Sequence, residues 1–335
     1  MSTPKIIAIV GATGIQGRSV ANAFLSLPDW KVRALTRNPS SPAAQSLAAS
    51  GAEVVQAELD DVDSLSRAFA GAYAIFLNTD FWAPYGEAVK SGVDRETSTK
   101  KGFEAEFRHA KNAVDAATQV PSLHRFVYSV LGPMKAASGG KYPHSGHWDS
   151  KAAAADYIEK RPELVGKAAF IYPAAYDTNT FLLPQIYPHL GGDREDQWAL
   201  MLPGPPSTTI PVLEMKTNFG LLTRSLIVGE EAGVKLFAHD CNPNGKDLVE
   251  MWNKITGKNA KFVEETMEGM HKITGLPYEV LDGPGYLSEF HYMHGVKGKV
   301  IEPKDLKDKV PTKTLEEILR ARGMDDLLGS QHPTL

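Results

Sequence analysis

With a single cysteine, Cys241, the chain can form no intrachain disulfide and no thiolate cluster for a structural zinc. No apolar run reaches the length of a bilayer span. Neither sign of charge dominates: Lys+Arg number 36 against Asp+Glu 40, a formal net charge of -4. That balance supplies no basic field of the kind that gathers duplex DNA, so no direct nucleic-acid binding is expected. Internal repeats and low-complexity tracts are absent as well. The opening Met1-Ser2-Thr3-Pro4-Lys5 has neither the length nor the flanks of a secretion signal. A reducing cytoplasmic compartment is therefore expected, with the nucleus also compatible. Hydrophobic content of 42% and charged content of 23% over 335 residues suit one large core or two unequal lobes.

What the chain does have is concentrated near its start. Ile6-Ile7-Ala8-Ile9-Val10 reads as a buried strand, and Gly11-Ala12-Thr13-Gly14-Ile15-Gln16-Gly17 turns it directly into a helix. This strand, glycine turn and helix form a seat for the pyrophosphate of a dinucleotide. Gly11 permits the turn, Gly14 lets backbone approach phosphate, and Gly17 lets helix lie close on sheet. Free amides of Thr13, Ile15 and Gln16 at the helix start supply the positive end.

The first half then alternates in period. Helices are expected from Ile15 to Leu27, Pro42 to Ser50, Asp61 to Phe69, Thr97 to Ala117 and Ser150 to Lys160. Strands are expected over Lys31 to Arg37, Glu53 to Ala57, Tyr73 to Leu77, Arg125 to Ser129 and Ala168 to Tyr172. Apolar strands joined by helical crossovers imply parallel pairing with helices on both faces, a doubly wound α/β sheet of the Rossmann type. Residues 1–180 are expected to form this domain, whose sheet can receive later strands, and 181–335 a smaller α/β lobe. In that lobe Pro184, Pro188, Pro203, Pro205 and Pro206 punctuate long connections. Leu213 to Val228, Leu248 to Thr256 and Leu315 to Arg322 read as helical. His291 and His294 lack a third nearby ligand, so no metal site is expected.

The second strand ends Thr36-Arg37-Asn38, with no acid to receive the ribose hydroxyls of NAD. Arg37 offers a charge-assisted fork to a 2'-phosphate instead, and Asn38 and the Ser41 hydroxyl lie close by. The preference falls on NADP(H). Glu58 and Leu59 follow the third strand and can flank adenine. Asn78, Thr79 and Asp80 follow the fourth and can run beside the ribose, with Phe81 and Trp82 as a floor for a flat ring. Ser129 closes the fifth strand. After the sixth, Pro173, Ala174, Ala175 and Tyr176 give a restrained loop with small side chains for close backbone approach.

Hydride transfer to a carbonyl needs a proton source and a donor for the developing oxyanion. Short-chain reductases use a tyrosine and, one helical turn later, a lysine. Here the lysine is Lys151, and His147 stands where the tyrosine would be. Proton donation by His147, by Lys151 itself, or by Tyr142 or Tyr176 all remain open.

These motifs together resemble the NmrA-like family, atypical relatives of the extended short-chain dehydrogenases. The resemblance rests on Gly11 to Gly17 with its glutamine, Val32 to Pro39, Gly51 to Gln56, Gly71-Ala72-Tyr73, Asn78 to Trp82, His147 to Lys151 and Pro173 to Tyr176. It extends weakly to Gly275-Leu276-Pro277 and the final helix. It implies NADP(H) bound by the glycine loop, Arg37, Asn78 to Asp80, Lys151 and Pro173 to Tyr176. It also implies one of two roles. Some members sense the cofactor and bind regulatory proteins, such as the fungal repressor of a GATA-type transcription factor. Others resemble isoflavone or quinone reductases and reduce small molecules with a lysine. One departure is Asn218, in a motif that often carries an acid. A small-molecule substrate or a regulatory protein is thus the expected partner, and a homodimer is compatible with either.

Overall fold

The computed structural model describes residues 3–191, 193 and 197–329. Its first half runs β1 (Lys5–Ile9), α1 (Ile15–Leu25), β2 (Trp30–Thr36), α2 (Pro42–Ala49), β3 (Glu53–Gln56), α3 (Val62–Phe69) and β4 (Ala74–Leu77). It continues with α4 (Trp82–Lys90), α5 (Arg95–Thr118), β5 (Arg125–Ser129), α6 (Met134–Ala137), α7 (Gly146–Glu159) and β6 (Ala168–Pro173). The remainder contains β7 (Ala175–Tyr176), β8 (Gln185–Ile186), β9 (Trp198–Pro203), β10 (Val212–Leu213), α8 (Asn218–Val228), β11 (Lys235–Ala238) and α9 (Gly245–Thr256). It ends with β12 (Lys261–Glu265), α10 (Met267–Thr274), α11 (Tyr278–Leu287), β13 (Val300–Ile301), α12 (Leu315–Arg322) and α13 (Met324–Leu328).

Eight strands form one sheet in the order β13-β11-β6-β5-β4-β1-β2-β3, and every pairing in it is parallel. Every residue of β4 and β6 is buried, as strands covered by helices on both faces must be. One face packs against α3, α5 and α7, the other against α1 and α8. The chain order reverses between β1 and β4, which opens a crevice at the carboxyl ends of these strands, the usual ligand position in such folds. A smaller lobe has its own core of Trp198, Leu200, Trp252 and Ile318, built around β8, β9 and β12 with α9 and α12. The sheet also takes β11 and β13 from beyond residue 180.

Two local readings need correction, and one helix goes unread in the sequence. The segment from Trp82 is a helix, with Pro84 tolerated in its first turn, where no amide partner is needed. Asp80 starts it, its Oδ1 accepting the amides of Trp82 at 2.9 Å and Ala83 at 3.4 Å. Helix α5 begins two residues before Thr97, at Arg95, because the Asp94 carboxylate caps the Thr97 amide. Leu213 to Val228 is not one helix: Val212–Leu213 pairs with β7, and the helix starts at Asn218. There Glu214 accepts the amides of Thr217 and Asn218, so an acidic side chain decides where the helix begins.

Candidate active site

At the end of β1 the chain turns through Gly11, whose φ of +73° favours glycine. Gly17 is required by close approach, since a Cβ there would stand 2.3 Å from the Gly11 carbonyl oxygen. Gly14 caps α1 with no side-chain hydrogen bond, so the first-turn amides of Ile15 and Gln16 point out of the glycine loop without a side-chain cap. Such an end attracts an anion. Arg37 lies exposed one residue past β2, and β2 pairs directly with β1, which brings it to the same end of the sheet. Among the described residues the Arg37 guanidinium makes no hydrogen bond or ion pair; its carbonyl accepts from Gln56 at 3.3 Å.

The other residues expected at the seat divide between open and occupied groups. Asn78 follows β4 beside the glycine loop, its carbonyl oxygen 3.6 Å from where a Gly11 Cβ would stand. Asn38 receives the Ser40 amide in a local turn, and the Ser41 hydroxyl oxygen accepts the Ala44 amide as the cap of α2. Glu58 is exposed, with its backbone tied to Ser64, and the Leu59 carbonyl accepts from Asn112. The Asp80 carboxylate is spent on α4.

Helix α7 brings Lys151 and His147 onto one face, four residues apart. Lys151 Nζ lies 2.8 Å from Glu106 Oε1 and donates to the Thr79 carbonyl at 3.0 Å. Glu106, on α5, is fully buried, and it also accepts from Thr79 Oγ1 at 2.8 Å and from the Ser150 hydroxyl. A charge this deep is tolerable only when paired and hydrogen-bonded, and three donors meet that condition. Thr79 Oγ1 also lies 3.0 Å from the Tyr128 hydroxyl; burial first, then the Glu106 charge, pushes that hydroxyl well above its ordinary value.

His147 is held by a second buried carboxylate. Glu279, on α11, lies 2.5 Å from His147 Nδ1 and accepts the amides of His147 at 3.0 Å and Gly146 at 3.2 Å. Thr99 donates to it as well, at 3.0 Å. The imidazole packs against Trp82, ring centroids 4.8 Å apart.

His147 and Lys151 line a cavity of about 420 Å³. Its walls are mainly apolar: Trp82, Leu131 and Trp148 on one side, Pro173 to Tyr176 at the end of β6, and Phe181, Leu276, Val280, Pro284 and Leu287 from the second lobe. Gln16 and Ser129 border it too, and Gln16 Oε1 and Ser129 Oγ are buried without a partner among the described residues. These two polar atoms lie where the glycine loop meets the cavity, free to bond a water or a bound molecule. Gln16 Nε2 donates to the Tyr176 hydroxyl, which burial pushes up to about 12.

One candidate proton donor lies elsewhere, and so does Asn218. Tyr142 does not border the cavity; its hydroxyl donates to Glu289 at 2.6 Å, and burial raises it far above its ordinary value. Asn218 belongs to a structural knot, donating to Asp240 and to the Pro311 carbonyl. Sequence reasoning misses Glu106, Glu279 and Tyr292, whose hydroxyl donates to the Pro173 carbonyl at 2.6 Å. Glu106 does leave a signal, a lone acid among Gly102, Ala105, Ala110 and Ala113 on the buried face of α5. Glu279 leaves none, because its partner lies 132 residues away.

The NmrA-like family model matches residues 3–321. The chain belongs to the NmrA-like family. Among curated relatives it is 31% identical over 271 residues to the NmrA-like family domain-containing oxidoreductase FrzB of Cladobotryum sp, covering 77% of this chain and 75% of that protein. Its fold matches the negative transcriptional regulator NmrA in complex with NADP, with TM-score 0.63, 17% identity and 96% and 91% of the two chains covered. It also matches the NADPH-dependent quinone oxidoreductase of Escherichia coli complexed with NADPH, with TM-score 0.66, 20% identity and coverage of 94% and 99%. The same fold thus occurs in a protein named a negative transcriptional regulator and in one named a quinone oxidoreductase. Among the described residues no helix is long and apolar enough to cross a membrane.

Proposed function

We propose that this protein is an NADPH-dependent reductase of a small conjugated or aromatic molecule. The observation that carries this reading is the cavity itself, mainly apolar and open, with two basic side chains of α7 on one wall. The cofactor residues Gln16, Lys151 and Pro173 to Tyr176 make only part of its lining, and the apolar remainder from Phe181, Leu276, Val280 and Leu287 suits a flat substrate beside them. The uncapped start of α1, the glycine cradle and the exposed Arg37 fit a phosphorylated dinucleotide, held at its pyrophosphate and 2'-phosphate. NADPH supplies a hydride when bound. Lys151, fixed by Glu106 and Thr79, places a positive charge where negative charge develops on the reduced substrate. The relatives named as oxidoreductases support the same reading.

A second reading is a non-catalytic NADP(H) sensor that binds a regulatory protein. The engagement of the Lys151 ammonium by Glu106 and Thr79 favours it, since those bonds already take up its three donors. NADPH oxidation against a panel of quinones, enones and imines, with Lys151→Ala as control, separates the two. Turnover that Lys151→Ala abolishes supports the reductase; saturable NADPH binding with no turnover on any of them supports the sensor.

A further inference from the structure

We infer that Glu279, on the second lobe, is the positioning residue that makes His147 the proton donor of the cavity. The inference deepens the reductase reading and rests on it. Glu279 is 3% exposed, and among the described residues its carboxylate accepts from two backbone amides and the Thr99 hydroxyl, with His147 Nδ1 2.5 Å from Oε1. Three established donors hold Glu279 as an ionised acceptor, and an ionised carboxylate has no proton to give, so Nδ1 carries its proton toward Glu279. That fixes the ring. Nε2 is then the nitrogen that no described residue occupies, on a side chain that lines the cavity.

The proton balance follows from this tautomer. Hydride addition brings two electrons and one hydrogen nucleus to the substrate and leaves negative charge on it. His147, as imidazolium, gives its Nε2 proton to that charge. It is left as the neutral Nδ1–H form, which keeps its bond to Glu279 throughout, and solvent restores the proton. No ring rotation or tautomer exchange intervenes. The carboxylate works twice over. It closes the amino-terminal end of α7, and it does so from the helix whose Val280, Gly283, Pro284 and Leu287 wall the cavity. The donor is therefore complete only when the second lobe is seated.

Glu279→Gln is the test variant, because it keeps the size and one acceptor. With a substrate the wild type reduces, kcat is expected to fall roughly 10-fold or more in Glu279→Gln and roughly 100-fold in His147→Gln. KM for NADPH stays within about 2-fold, and the double variant is no slower than His147→Gln alone, as for residues acting as a unit. A purely structural Glu279 would lower thermal stability while leaving kcat intact, and that result overturns the inference alone. Silence of the wild type across the substrate panel sinks the reductase reading and this inference together. Nitrogen-15 spectra of histidine-labelled protein give a readout free of turnover and of any variant's folding. The neutral His147 ring of the wild type is expected to carry its proton on Nδ1; a proton on Nε2 overturns the inference.

Discussion

The glycine seat and the α7 wall meet in one cleft yet are built in opposite ways. The seat is local and made of backbone: seven consecutive residues, a positive φ at Gly11, a contact that only Gly17 allows, and a helix end without a side-chain cap. The wall is made of side chains whose partners come from afar, Glu106 lying 45 residues before Lys151 in sequence and Glu279 132 residues from His147. Local backbone geometry leaves a spacing that can be read. Long-range charge pairing leaves only a carboxylate in an unlikely place.

The largest effect is expected at the seat. Gly17→Val would drive a side chain into the Gly11 carbonyl, which stands 2.3 Å from even a bare Cβ. Helix α1 must shift, and NADPH binding measured by calorimetry is expected to vanish in whatever protein folds. Next comes the wall. Glu106→Ala leaves the Lys151 ammonium buried without its carboxylate, and chemical denaturation should show a loss of about 3–5 kcal/mol. The double variant Glu106→Leu with Lys151→Met should recover most of that loss while turnover stays absent. If it recovers nothing, the pair is not what stabilises this corner.

A smaller effect separates cofactor choice from folding. Arg37→Ala should weaken NADPH binding by about 1.5–3 kcal/mol, the scale of a hydrogen bond to a charged group, leaving NADH binding and thermal stability unchanged. Equal loss for both cofactors would remove Arg37 from the 2'-phosphate. The smallest effect concerns Asp149, between His147 and Lys151 on α7, whose carboxyl burial pushes up from 3.8 to about 6. The folded chain holds that proton more tightly than the unfolded one, so stability present below pH 3.8 is lost as pH rises through about 6. Asp149→Asn should therefore raise the midpoint of thermal unfolding at pH 7–8 and not at pH 4.

Legibility in the sequence followed the same divide. The glycine turn, the strands through β6 and the helices α9 and α12 are visible because period and turn residues agree over short windows. Helix α4 is hidden because Pro84 reads as a break although it sits in a first turn, where proline is harmless. Helix α11 is hidden in the same way by Pro284 within it. The short strands β7 and β10 are two residues each, too brief for any period to register. His147 and Lys151 stand out by their spacing, but what holds them does not. Glu106 was readable as a charge on a stripe of small residues, whereas Glu279 becomes visible only when α11 is laid against α7.

Transfer of deuterium from nicotinamide C4 tests the central claim most directly. Protein loaded with C4-deuterated NADPH is mixed with an enone or imine that it turns over, and the product is weighed by mass spectrometry. Label carried into the product by the wild type, and lost in Lys151→Ala, is the expected result. Product without label, or label carried equally by Lys151→Ala, would contradict a reductase whose chemistry is directed from α7.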